Sequence, residues 1–144
     1  MKDSIERCLE ENQPIYVVDY QGIGKRTEAI GTRAYIVIYD KDKRIFKAIL
    51  YGEDFVTYSI EDEGRIFFYT LKEAVNAAEN LPKPQTIMYQ KIDNNIYKKE
   101  VVGIRGHYVE GVYDLIICFN RGECVSIKEI GHTLFFKEAD ADAR

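Results

Sequence analysis

Gly22 and Gly24 stand just after an apolar run and are followed by Lys25, Arg26 and Thr27. Glycines ahead of a lysine and a hydroxyl are the parts of a phosphate-binding loop, whose amides cradle phosphates and whose hydroxyl holds magnesium. The spacing denies that chemistry. Such a loop needs Gly, four residues, Gly-Lys, then Ser or Thr, and a helix must follow. Here Asp19 stands where the first Gly belongs and Arg26 where the hydroxyl belongs. The next residues, "TEAIGTRAYIVIY", read as a strand.

Other reactive side chains form no catalytic pattern. His107 and His132 lack a Ser or Asp placed to make an acid–base pair with them. Cys118 and Cys124 flank "FNRGE", an expected hairpin turn, and could meet across two strands. With Cys8 they make an odd count, and no second close pair completes a zinc set. They read as small core residues. No metal or cofactor is expected.

Binding chemistry is better represented. Arg33 and Arg105 follow Gly31 and Gly103. They could each take a phosphate or carboxylate, or pair with Glu28 and Glu100. Tyr35, Tyr39, Tyr51 and Tyr58 crowd the first half, and strand alternation sends some outward. Exposed Tyr gives contact area at low entropy cost, while buried Tyr would be ordinary packing. Acids cluster at Glu53-Asp54 and Glu61-Asp62-Glu63, as solvated turns or as a patch for a basic partner.

The chain that must position these groups has 144 residues, 46% hydrophobic and 31% charged, as in a globular domain. No apolar run reaches the roughly 18 residues of a membrane span. The charged N-terminus has no signal core, which predicts a cytoplasmic protein. The net charge is −4: residues 1–82 hold 11 Lys and Arg against 15 Asp and Glu, and residues 83–144 hold 9 against 9. That balance disfavours a protein working through phosphate contacts.

An internal repeat organises the chain. Slid by 67 residues, "TYSIEDEGRIFFYTLKEA" falls on "CVSIKEIGHTLFFKEADA", matching Ser59, Ile60, Gly64, Phe68 and Ala74 to Ser126, Ile127, Gly131, Phe135 and Ala141. Slid by 72, Ile15, Glu28, Gly31 and Arg33 meet Ile87, Glu100, Gly103 and Arg105. The difference predicts one five-residue gap near Asp40 to Arg44. On that alignment Tyr20 to Thr27 falls on "IDNNIYKK", so the glycines do the turn work of Asp-Asn-Asn.

Each copy reads as short antiparallel strands rich in Tyr, Ile, Val and Phe, closed by a helix. Thr70 and Glu73 make a capping box, and Leu71, Ala74, Val75, Ala78 and Leu81 one apolar stripe. Copy two has Lys137 at the capping position. A short helix over residues 1–13 carries Ile5, Cys8 and Leu9 on one turn. The expected fold is mainly β with short helices (α+β). It comprises two tandem SH3-like small β-barrels or rolled antiparallel sheets, over residues 14–82 and 83–144.

The close of each copy, "EGRIFFYTLKEA" and "IGHTLFFKEADA", resembles small uncharacterised proteins of Firmicute phages and mobile elements. In those, a compact β unit ends in Gly, a short strand, Thr and an acidic helix start. The resemblance implies a mobile-element setting, where small acidic proteins often inhibit host defence systems. The expected function is a non-enzymatic protein-binding module with a basic-surfaced partner, an anti-CRISPR-like inhibitor. The alternatives are an RNA- or DNA-associated module and a small-molecule binder or enzyme with its site between the copies.

Overall fold

A computed structural model describes residues 3–143 apart from Lys25 and residues 51–53. The first half runs α1 (Ser4–Glu10), β1 (Pro14–Ile23), β2 (Arg26–Asp40), β3 (Ile45–Ile49), β4 (Phe55–Ser59), β5 (Phe67–Phe68) and α2 (Leu71–Glu79). The second runs β6 (Ile87–Ile92), β7 (Asn95–Val109), β8 (Val112–Phe119), β9 (Cys124–Ser126), β10 (Leu134–Phe135) and α3 (Glu138–Asp142). The five-stranded sheets have orders β4-β3-β2-β1-β5 and β9-β8-β7-β6-β10. Strand for strand, the second order repeats the first.

The closing segments match in detail at the 67-residue spacing. Ser59 and Ser126 cap short 3-10 turns, accepting at 3.2 Å from the amides of Glu61 and Lys128. Gly64 and Gly131 then turn the chain at φ +80° and +87°, a backbone that favours glycine. Their amides donate to the Phe67 and Leu134 carbonyls, each at 2.8 Å.

The first strands correct the sequence alignment. Tyr16 lies opposite Phe68, and Tyr89 lies opposite Phe135. With Phe68 and Phe135 equivalent, β1 and β6 are 73 apart (89 − 16), and Ile15 corresponds to Met88 rather than Ile87. Asp19 then corresponds to Ile92, where β6 ends, so Tyr20–Ile23 run on alone. Likewise Ile45 faces Ser59 and Ile116 faces Ser126, which makes Ile116 the counterpart of Ile45. β8 nevertheless begins at Val112, four residues earlier. Tyr20 to Thr27 therefore has no equivalent in residues 92–99, and no single gap near Asp40 accounts for the lengths. Each half carries a hairpin extension that the other lacks. Pairing register is set by turns and buried faces, and scattered identities do not report it.

The compact units cut across the halves. Unit 1 is Met1–Asp19, Ala29–Leu81 and Gly106–Asp114, and unit 2 is Tyr20–Glu28, Pro82–Arg105 and Leu115–Arg144. Tyr20–Glu28 contains the first half's unmatched Tyr20–Ile23, and Gly106–Asp114 contains the second half's extension as far as Asp114.

In unit 1, Phe46 stacks on Tyr58 at 5.5 Å and meets the edge of Phe67 at 5.0 Å. Tyr113, from the extension, packs on Tyr58 at 5.6 Å and donates to Asp19 Oδ1 at 2.8 Å. Gly106 leaves room for that ring, since a Cβ there would lie 2.6 Å from the Tyr113 hydroxyl. Asp3 caps α1 by accepting from the Glu6 amide at 2.9 Å, and Ile5 is buried. Thr70 caps α2 by accepting from the Glu73 amide at 3.2 Å, while its hydroxyl donates to the Glu73 carboxylate at 2.8 Å. Ala74 and Ala78 face inward, but Leu71, expected on the same stripe, is exposed in the first helical turn.

Gly31 explains how close α2 comes to β2. A Cβ there would lie 2.8 Å from the Val75 amide nitrogen and 3.0 Å from the Ala74 carbonyl carbon. Backbone atoms cannot swing aside as a flexible side chain can, so the helix itself must shift. Gly31→Ala is expected to cost about 1–3 kcal/mol, the range for overpacking a tight contact. Urea denaturation with an unchanged m value checks it; an unchanged midpoint would show that α2 moves freely.

Unit 2 is built around Met88, Ile104, Leu115, Ile117 and Leu134, all fully buried. Its β6–β7 turn places Asp93 and Asn94 at φ +49° and +67°, the pattern of a two-residue hairpin turn. The β1–β2 extension also belongs here. Gly22 sits at φ +151°, and a Cβ there would collide with the Arg26 carbonyl. Thr27 is buried and its hydroxyl donates to the Ile104 carbonyl. Beyond Gly24 the chain enters strand β2 at Arg26, with no helix there to receive a phosphate.

Candidate partner-binding surfaces

A β-bulge decides which tyrosines reach the surface. Tyr35 pairs with Ile49 and Ile36 with Ala48, but after an extra residue Ile38 pairs with Lys47 and Tyr39 with Phe46. The extra residue flips the alternation. Tyr35 and Ile38 therefore share the outward face, and Tyr39 turns to the side of buried Phe46. Directly opposed residues share a face, so Tyr35, Ile49 and Phe55 form one outward row across β2, β3 and β4. Tyr35, Ile38 and Phe55 are 38%, 54% and 53% exposed, well beyond core values. Arg33 and Lys47 are exposed on the same strands, and Asp54 is exposed beside Phe55.

The remaining predicted residues divide sharply. Tyr58 is fully buried, so it belongs to the core and not to a contact surface. Asp62 is buried too, ion-paired with Arg65, while Glu61 and Glu63 on either side are exposed. The tight 3-10 turn Ile60–Asp62 turns its last residue inward, which composition alone conceals. Tyr51 and Glu53 lie outside the described residues. Arg105 donates to the Gly24 carbonyl at 3.0 Å, a partner from the hairpin tip that local pairing with Glu100 did not anticipate.

Near α1, Tyr39 donates to Asp3 Oδ2 at 2.9 Å and Tyr69 to Glu63 Oε1 at 2.6 Å. Burial and then the carboxylate partner push both phenols above their ordinary range. Partial burial opposes the Asp3 charge, but the Glu6 amide, the Tyr39 hydroxyl and Lys41 together hold its carboxyl below the usual range. The Tyr39–Asp3 bond ties the N-cap of α1 to β2, and the two bonds occupy Tyr39 and Glu63. Glu61, 3.9 Å from Arg44, is held only loosely.

No family model, curated protein or solved structure matches this chain. Its surfaces must be read from their own chemistry.

Charge divides by unit more strongly than by half. Unit 1 holds 9 Lys and Arg against 16 Asp and Glu, a net of −7, and unit 2 holds 11 against 8, a net of +3. Unit 2 has a cleft of about 300 Å³ lined by Tyr97, Lys98, Lys99, Phe119, Arg121 and Glu123, among others. Lys99 bonds Gln90 and Glu123 and lies 5.4 Å from the centre of the Phe119 ring. Beside it, Cys118 is half-buried and Cys124 exposed, against the expectation that both were core. Both histidines are exposed, and among the described residues no three His, Cys, Asp or Glu side chains gather as a metal site. No described helix is long and apolar enough to cross a membrane.

Proposed function

We propose that this chain is a non-enzymatic protein-binding module whose contact surface is the outer face of β2, β3 and β4. The carrying observation is the Tyr35–Ile49–Phe55 row with Ile38 beside it. Tyr, Phe and Arg are enriched where proteins meet, and apolar anchors ringed by charge suit a protein partner. The net of −7 on unit 1, with Asp54 and Glu61 exposed at the two ends of β4, favours a partner with a basic surface. A host or antiphage-defence protein is the proposed target class, on the resemblance of the strand-to-helix closures. An SH3-like roll of each sheet is part of this reading. The 5.0 Å contact of Phe46 on β3 with Phe67 on edge strand β5 supports it for the first sheet.

The test pairs capture with substitution. Tyr35→Ser, Ile38→Ser and Phe55→Ser together should leave the fold intact, because exposed side chains contribute little to stability. A partner captured by the native protein is expected to be lost by this variant. Full retention would remove the face from the function. Asp54→Lys with Glu61→Lys is expected to slow association and weaken its salt dependence, since rim charges act on the on-rate. Asp62 must stay out of that charge reversal, because it is buried.

A second reading has its own support: the net of +3 on unit 2 and the aromatic and basic lining of its cleft suit single-stranded nucleic acid. Fluorescence anisotropy with a labelled oligonucleotide separates the two. Binding weakened by Lys98→Ala and Arg121→Ala would favour the second.

A further inference from the structure

We propose that Cys118 and Cys124 form a thiol-modification site, a dithiol that low-molecular-weight disulfides convert to a cross-strand disulfide. The two residues are direct partners on β8 and β9. Their thiols are free, and the sulfurs lie 2.8 Å apart. In the adjoining pair, the Phe119 amide donates to the Glu123 carbonyl at 2.8 Å. Hydrogen-bonded and non-hydrogen-bonded pairs alternate along antiparallel strands. The cysteines therefore occupy a non-hydrogen-bonded pair, whose Cα atoms approach to about 4.5 Å. A disulfide accepts Cα separations of about 4.4–6.8 Å, so the bond needs no rearrangement of the strands.

Access sets the order of events. Cys124 is exposed, and Cys118 is half-buried. Burial, and then the neighbouring Cys124 sulfur, push the Cys118 thiol up to about 12, so it is the weaker first nucleophile. The Cys124 thiolate attacks one sulfur of glutathione disulfide and expels one glutathione thiolate, leaving a mixed disulfide. Cys118 then loses its proton to solvent and attacks the Cys124 sulfur, expelling the second glutathione. Two protein thiols are oxidised, and one external disulfide is reduced to two thiols. The bond closes the turn whose Phe119, Arg121 and Glu123 line the unit 2 cleft, and it fixes that wall.

The test equilibrates the full chain with mixed oxidised and reduced glutathione, quenches with acid, alkylates, and reads intact and peptide masses. The native protein is expected to lose two hydrogens, with Cys118 and Cys124 protected and Cys8 alkylated. Cys118→Ser removes the resolving thiol and is expected to hold one glutathione on Cys124. At one glutathione ratio, the native fold should favour the disulfide at least about tenfold over the same chain in denaturant, because the strands pre-align the sulfurs. Native protein that keeps as much glutathione as Cys118→Ser would overturn the proposal. So would both thiols remaining alkylated at equilibrium, or equal disulfide fractions in native and denatured chain.

Discussion

A chain ending at Leu81 is expected to lack a folded core, although it contains one whole copy of the repeat. Unit 1 requires Gly106–Asp114, which lie beyond that end. Without them Tyr58 loses the ring of Tyr113, and Asp19 loses its hydroxyl donor. Deleting one large buried aromatic side chain costs about 3–5 kcal/mol. Whole domains are stable by only about 5–15 kcal/mol, and the truncation removes a two-stranded segment as well. Near-ultraviolet circular dichroism and amide NMR dispersion should show an unfolded chain. Adding residues 82–144 in trans should restore the signal. A cooperative thermal transition in the fragment alone would mean that the unit divisions carry no energetic weight.

Replacing Tyr113 separates ring from hydroxyl. Tyr113→Ala removes the contacts with Tyr58 and Tyr108 together with the bond to Asp19, and a loss of about 3–5 kcal/mol is expected. Tyr113→Phe keeps the packing and removes only a hydrogen bond to a carboxyl group, about 1.5–3 kcal/mol. The alanine variant, although changed in the second copy, should speed hydrogen exchange at Val17, Phe46 and Tyr58 in the first. Equal midpoints for the two variants in denaturant would show that packing contributes little there.

Some of this architecture was written in local residue choices. Asp93-Asn94, Thr70 with Glu73, and the Ser59–Gly64 and Ser126–Gly131 closures each act within a few residues, so sequence exposes them directly. Hairpin length was hidden, because residues 20–23 and 112–115 carry ordinary strand residues and nothing local says which unit will hold them. The bulge between Ile36 and Ile38 was hidden for the same reason. Strict alternation places Tyr35 and Tyr39 on one face, and one extra residue parts them. Asp62 was read with its exposed neighbours because three consecutive acids look alike until a 3-10 turn buries the middle one. The facing cysteines were legible as a turn-flanking pair, but their exposure and register were not.

The hairpin of residues 106–114 also governs what the ribosome can release as a finished structure. Domains commonly fold in order as they emerge during synthesis. Unit 1 includes the first strands made, yet its last segment ends only at Asp114, well inside the second copy. Tyr58 and the strands around it must wait, made but unburied, while residues 82–114 are translated. The nascent first half therefore presents apolar surface to chaperones until residue 114 has been made, and a stop codon before that point yields an aggregation-prone product rather than a smaller working protein.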